Sequence, residues 1–458
     1  MHTTHDFQPS FLRVVPTKDD LTSTAGLSLL LEAFDQSALK SQFEKCLPER
    51  TSPRSKGSYR LGLIQVASFL KGHDCIEDIE NFRKDPNLSA IMKGETVAAR
   101  TMIDFLKDFE LHHSIKLNSF LPAQAKAIRV QLEKMLKKDH KPLLAPHLSI
   151  DSTMHIQHGS KMEGLAYNYE GKWGLDSQII FDELGLCWNF RLRPGSTKSG
   201  VGACEQIKQA FANYKFSDEK YLSADSAYCN QDIITTNIAL GAKFTITANQ
   251  ATTGWEDYIP EIINWAPWTY SEKELKWFRE HDLTPPEVEL GRFYWTPSWN
   301  KTLKLPVVVK RTKASDQLTL GFGEWDYYGV VTNLPLIDWS LQSVIEHHNK
   351  RGNAENFIRE GKYGYDLKHF PCRELLCNEA FGLIAMVAHN LLRWAAIHDR
   401  PSRPRFAKGL RERFINIPGK IVSHARLLTL RIPQHFIEGV NRLRMALELK
   451  PCAPISTA

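Results

Sequence analysis

Asp151, Asp225 and Glu355 are three carboxylates set far apart in the chain. Glu355 lies in a run, His348-Asn349-Lys350-Arg351-Gly352-Asn353-Ala354-Glu355 and on to Lys362, that sets an imidazole, a guanidinium and an amine in step with it. At helical periodicity His348, Arg351, Glu355 and Lys362 fall within about a 60° sector of one helix face. Carboxylate oxygens are preferred ligands of hard divalent cations, while Arg offers phosphate a planar two-point contact and Lys a point charge. The set is therefore suited to phosphodiester chemistry. A plainer alternative for the helical four is an exposed face with i,i+4 ion pairs, worth ~0.3–0.5 kcal/mol each. Gly352, which costs ~1 kcal/mol relative to Ala inside a helix, predicts a kink there. Either aspartate alone reads equally well as a turn former.

The elements that must position these groups follow from periodicity. In Leu148 to Ile156 apolar residues alternate, which predicts a strand with Asp151 on the face opposite Ile150, Met154 and Ile156. Strands are expected around 178–181 and 186–192, a helix over 205–214, a strand at 221–224 ending at Asp225, a helix over 232–240 and a strand over 243–248. This is an α/β order. Helices return at 341–362 and 378–397.

The chain divides into an N-terminal arm and turn-rich linker (1–58); a helical domain (59–141), whose last helix carries Lys126, Arg129, Lys134, Lys137 and Lys138; an α/β core (142–250); a β-rich insertion (251–340); the second part of the core (341–400); and a basic C-terminal helical region (401–458). The insertion holds eight of the eleven tryptophans: Trp255, Trp265, Trp268, Trp277, Trp295, Trp299, Trp325 and Trp339. No internal repeat or low-complexity tract is visible.

Composition agrees with a globular protein. Of 458 residues, 42% are apolar and 24% charged, which excludes fibrous and disordered classes. No run approaches 18 consecutive apolar residues, so no membrane partner is expected. The first residues lack the basic and apolar blocks of a secretory leader, and the expected location is the cytoplasm. The eight cysteines are scattered and read as reduced thiols. The net charge is only +6, but between Arg393 and Lys450 there are 13 Lys and Arg against 4 Asp and Glu, which favours a polyanionic partner.

Asp151-Ser152-Thr153, Ser223-Ala224-Asp225-Ser226 and the run from His348 to Lys362 resemble the cut-and-paste DDE transposases of bacterial insertion sequences. The subgroup has a Tyr-x2-Arg-x3-Glu-x6-Lys signature and a β-strand insertion before the third acid; here His348 stands at the Tyr position. The resemblance extends to His369-Phe370-Pro371-Cys372, to Asn378–Trp394 and, more loosely, to Gly62–Phe109. It implies an RNase H-like mixed-sheet core with Asp151, Asp225 and Glu355 as catalytic, metal-holding acids. Asp151 would bridge two Mg2+ ions, with Mn2+ able to substitute, and Asp225 and Glu355 would each hold one. His348, Arg351 and Lys362 would contact DNA phosphates. The implied partners are double-stranded transposon ends and target DNA, bound by a homodimer associated with the bacterial nucleoid. The insertion would offer a tryptophan to a flipped base.

Two other readings use the same residues: a metal-dependent nuclease of this fold without strand transfer, and a noncatalytic DNA-binding relative. The histidines at 112–113, 147, 155, 158 and 347–348 form neither an HExxH nor a Cys-paired zinc pattern. His155 and His158 are expected to line the DNA groove.

Overall fold

The computed structural model describes residues 15–51, 56–94, 96–138, 144–313, 324–400, 404–424 and 427–452. A short strand, β1 (Asp20–Thr22), is followed by helices Leu27–Gln36, Leu39–Glu44, Ser58–Lys71, Ala99–Lys107 and Leu111–Lys138, with shorter helical turns between 76 and 91. Then come β2 (His147–Ile156), β3 (Ala166–Tyr167), β4 (Trp173–Asp182), β5 (Cys187–Pro194), helix Ala203–Ala210, β6 (Tyr221–Ala224), helix Gln231–Ala239 and β7 (Lys243–Thr247). Strands β8 (Ala266–Pro267), β9 (Val288–Trp295), β10 (Leu305–Lys313) and β11 (Trp325–Thr332) precede helices Leu341–Asn349, Gly352–Gly364 and Leu375–Asp399. The chain closes with β12 (Gly419–His424), β13 (Leu427–Arg431) and helix Gln434–Ala446.

Ten strands form one mixed sheet in the order β3-β4-β2-β6-β7-β11-β10-β9-β8, with β5 also paired to β4. The parallel strands β2, β6 and β7 lie at its centre. This is an α/β fold consistent with an RNase H-like core carrying additional helices. The segment 251–340 extends that sheet: β11 pairs antiparallel with β7, Val330 opposite Thr247 and Thr332 opposite Thr245. Without β11 the β7 edge would present unpaired backbone groups, and the insertion satisfies them.

The Leu375–Asp399 helix is apolar on all sides, as a helix must be when packed around its whole circumference. It alone among the described helices is long and apolar enough to cross a membrane, and 89% of its apolar window is buried within the fold. Phe69 meets Phe381 at a ring separation of 4.8 Å. The Asn390 side chain accepts from the Cys187 amide (2.7 Å) and donates to the Cys187 carbonyl (2.8 Å), pinning the helix to β5.

Several expectations are corrected. Residues 20–47 are not an arm: Leu27, Leu30, Phe34 and Phe43 are buried in the main core, because this segment has its own apolar helical face. Of the expected linker, 52–55 lie outside the described residues, as do residues 1–14. The C-terminal region is only partly helical, since β12 pairs with both β1 and β13 and so joins the two chain ends in a three-stranded sheet. The helical stretch 341–362 is two helices, broken at Lys350 and Arg351 beside Gly352.

Candidate active site

The parallel pairing of β2 and β6 sets Ser149 opposite Ser223. Asp151 and Asp225, each two residues further on, leave adjacent strands on the same side, since side chains alternate with period two. Asp225 ends its strand and caps the following turn, its carboxylate accepting from the Ala227 amide at 2.9 Å. The Asp151 carboxylate accepts from the Ser152 amide at 2.8 Å. The third acid, Glu355, lies exposed in the first turn of the Gly352–Gly364 helix. Arg351, at the break before that helix, places Nη1 3.6 Å from Asp151 Oδ2.

The Asp151 carboxyl registers all of these groups. Burial pushes its pKa up to about 6, the negative charges of Asp225 and Glu355 act in the same direction, and the Ser152 amide and Arg351 oppose them. Among the described residues, however, the trio of His, Cys, Asp or Glu ligand atoms lying within 4.8 Å of one another is Asp74, Cys75 and Asp78. The oxygens of Asp151, Asp225 and Glu355 do not all lie within that distance of one another, although the charges of the other two reach Asp151. Their oxygen-only donor set suits a hard divalent cation, and Arg351 already places positive charge there.

Lys362 lies one helical stretch beyond Glu355 and is half buried. Its ammonium donates to the Met154 carbonyl on β2 at 2.8 Å, and its pKa is lowered by burial and by Lys172, against Asp176. The floor beneath the acids is polar. Ser152 and Ser199 share a hydroxyl hydrogen bond of 2.8 Å, and the Gln178 amide donates to the Tyr228 hydroxyl at 3.0 Å.

His348 departs from its expected place. Only 1% exposed, it lies under the sheet-facing side of the Leu341–Asn349 helix. Its Nε2 is hydrogen-bonded to the Tyr328 hydroxyl (2.9 Å) and to Thr247 Oγ1 (3.1 Å), and its Nδ1 to Thr245 Oγ1 (3.1 Å). The chain continues through Thr245 to Ser223 (2.7 Å) and from Ser223 to His147 (2.6 Å). Burial, and then Arg351, push the His348 pKa down to about 4, so the ring is neutral near pH 7. Its bonds pin the Leu341–Asn349 helix to β7 and β11.

Of the other groups expected on the DNA side, His155 and Arg129 are turned inward. His155 is buried, hydrogen-bonded to Ser177 (2.7 Å) and edge-on to Phe370, while His158 is exposed. Arg129 is buried against Asp182 (2.9 Å) and Glu183 (2.7 Å). Lys126 donates to the Asn213 carbonyl at 2.6 Å. Sequence reasoning passed over the turn from Tyr167 to Lys172, whose signal was an aromatic pair around Asn168 and Gly171.

A comparison with curated proteins found no match. The family model described as Transposase DDE domain group 1 matches residues 10–451, nearly the whole chain. With that span, a mixed α/β fold and carboxylates gathered from β2, β6 and the 352–364 helix, the chain belongs to the DDE transposase domain family, whose members are DNA-processing enzymes that generally use divalent metal ions.

Proposed function

We propose that this protein is a cut-and-paste transposase that cleaves DNA at terminal inverted repeats of an insertion sequence and joins the freed ends to target DNA. The observation that carries the reading is that Asp225, from the end of β6, and Arg351 and Glu355, from the start of the 352–364 helix, all act on Asp151 of β2. Asp151, Asp225 and Glu355 would hold two Mg2+ ions, which supply charge neutralisation and activation of the attacking oxygen.

The chain's own contributions are positional. Asp151 and Asp225 project from adjacent parallel strands, so their separation is fixed by backbone hydrogen bonds. Glu355 approaches from a helix whose predecessor is anchored by His348. Arg351 neutralises Asp151 and is placed to exchange that partner for a DNA phosphate. Lys362, tied to the strand that carries Asp151, offers a second cation to the same strand of DNA.

In the first step water cleaves the phosphodiester and leaves a 3′-OH. In the second that hydroxyl attacks a target phosphodiester; one such bond is broken for each one formed, so no nucleotide cofactor is required. The same reading makes the working unit a homodimer on double-stranded DNA in the bacterial cytoplasm.

The test uses DNA from the ends of the element that carries this gene, in Mg2+. Glu355→Ala should lower cleavage by roughly 10²–10³-fold or more while leaving end binding within about twofold, because Glu355 contributes a charge at the reacting centre rather than a folding contact. Full cleavage by this variant would reject the assignment. Wild-type protein given pre-cut ends should join them to a plasmid; cleavage without joining would identify a nuclease instead. Binding should also weaken steeply with salt, as phosphate contacts require.

A further inference from the structure

The turn that joins β3 to β4 presents aromatic rings to solvent. Ala166 pairs with Gly174 and Tyr167 with Trp173. Within the turn the Asn168 amide donates to the Lys172 carbonyl (3.0 Å), and the amides of Glu170 and Lys172 donate to Asn168 Oδ1 (3.0 and 2.9 Å). Gly171 supplies the left-handed residue the turn needs, with φ of +73°. The base of the hairpin is fixed as well. The Trp173 indole donates to the Gly159 carbonyl at 2.9 Å, and a Cβ on Gly195 would stand only 2.1 Å from the Gly174 carbonyl oxygen.

On this fixed support Tyr169 is 94% exposed and Tyr167 63% exposed, with the Trp173 ring 4.8 Å from that of Tyr167. The turn continues the β2–β4 strand pair past the point where Lys362 is anchored: Met154, whose carbonyl accepts from the Lys362 ammonium at 2.8 Å, pairs with Asp176, and Ile156 pairs with Gly174 at the base of the hairpin. The Tyr169 phenol is held above its usual range by Glu170 first and also by the charge of Asp225, and Lys172 lies close enough to Lys362 to depress it, after burial. Lys172 is paired with Glu170, so the turn has little net charge with which to attract phosphate. What it offers is ring area, and nucleobases stack on ring area whatever their sequence.

We propose that Tyr169, at the tip of the hairpin whose base carries the Tyr167–Trp173 ring pair, is a stacking platform for one unpaired nucleobase of the DNA strand that passes Lys362. This rests on the reading of Asp151, Asp225 and Glu355 as a DNA-cleaving centre. The turn's hydrogen bonds hold the backbone, so stacking a base needs to order only the two side-chain torsions of Tyr169, a small entropic cost for the ring area gained.

The test compares two probes, an oligothymidine of about 20 nucleotides and an abasic strand of equal length, each titrated onto the full chain at low salt. Wild-type protein should bind the strand with bases roughly tenfold more tightly or better, the ratio expected from stacking a single base. Tyr169→Ala should remove most of that preference and leave abasic affinity unchanged, and Tyr169→Phe, which keeps the ring, should retain it. Because Tyr169 is exposed, neither variant should disturb folding. Equal preference in wild type and Tyr169→Ala, or no preference in wild type, overturns the platform while leaving the cleavage assignment standing. Failure of wild type to bind either strand also overturns the platform, while the cleavage assignment stands or falls on the Glu355→Ala test with double-stranded ends.

Discussion

The strand pair β2–β4 carries a buried arginine–carboxylate cluster at one end and the candidate active site towards its middle, and the two are built on opposite terms. At the first, Arg129 meets Asp182 and Glu183 at 2.9 and 2.7 Å and also donates to the Leu144 carbonyl at 2.6 Å. The remaining carboxylate oxygens accept from the amides of Leu184, Leu186 and His147. At the second, Arg351 stands 3.6 Å from Asp151 alone, and two further carboxylates act on that aspartate. The first cluster has its hydrogen-bonding capacity filled and serves the fold. The second keeps negative charge in excess around one loosely placed guanidinium, which is what the proposed binding of a cation and a phosphate would require.

The largest effect expected from this contrast is on stability. Arg129→Met should destabilise the protein by about 3–5 kcal/mol, because it strands two carboxylates without their cation. Urea denaturation measures this, and a loss below ~1 kcal/mol would erase the distinction.

The next effect has the opposite sign. Asp151 has its folded-state pKa raised to about 6 from an ordinary value of 3.8. Ionisation in the folded protein is therefore disfavoured, and the cost develops as pH rises through that window and is complete above it. Asp151→Asn should accordingly be more stable than wild type by about 1–3 kcal/mol at pH 8, with the gap closing towards pH 4. Thermal melts at the two pH values test this, and a gap that does not grow with pH defeats it. Added Mg2+ should raise the melting temperature of wild type and not of the variant.

The smallest effect is that of Arg351→Met, within about 1 kcal/mol in stability because the pair is loose and partly exposed. Its DNA affinity should nonetheless fall, with a shallower dependence on salt; unchanged binding would remove Arg351 from the DNA surface.

Much of the site's scaffolding was legible because it depends on local pattern. Alternation in 148–156 marks a strand, a short apolar run ending at Asp225 marks a strand terminus, and Gly352 beside Arg351 marks the helix break. Parts that depend on distant partners were not legible. Arg129 and His348 look like surface cations in sequence, and only Asp182, Glu183, Thr245, Thr247 and Tyr328 turn them inward. The helix of Leu27–Gln36 was readable from its own leucines yet was masked by the polar residues around it. The insertion's strands were recognisable as strands, but periodicity cannot say which edge a strand will join, and the pairing of β11 with β7 is a long-range choice.

That pairing has a mechanical result. Because β7 and β11 share backbone rungs, the tryptophan-bearing segment and the strands that present the two aspartates are parts of a single lattice, with no hinge at their seam. On the proposed reading, any DNA touching the outer strands would be held at a set offset from the cutting point, as the jaws of a caliper keep their gap once locked.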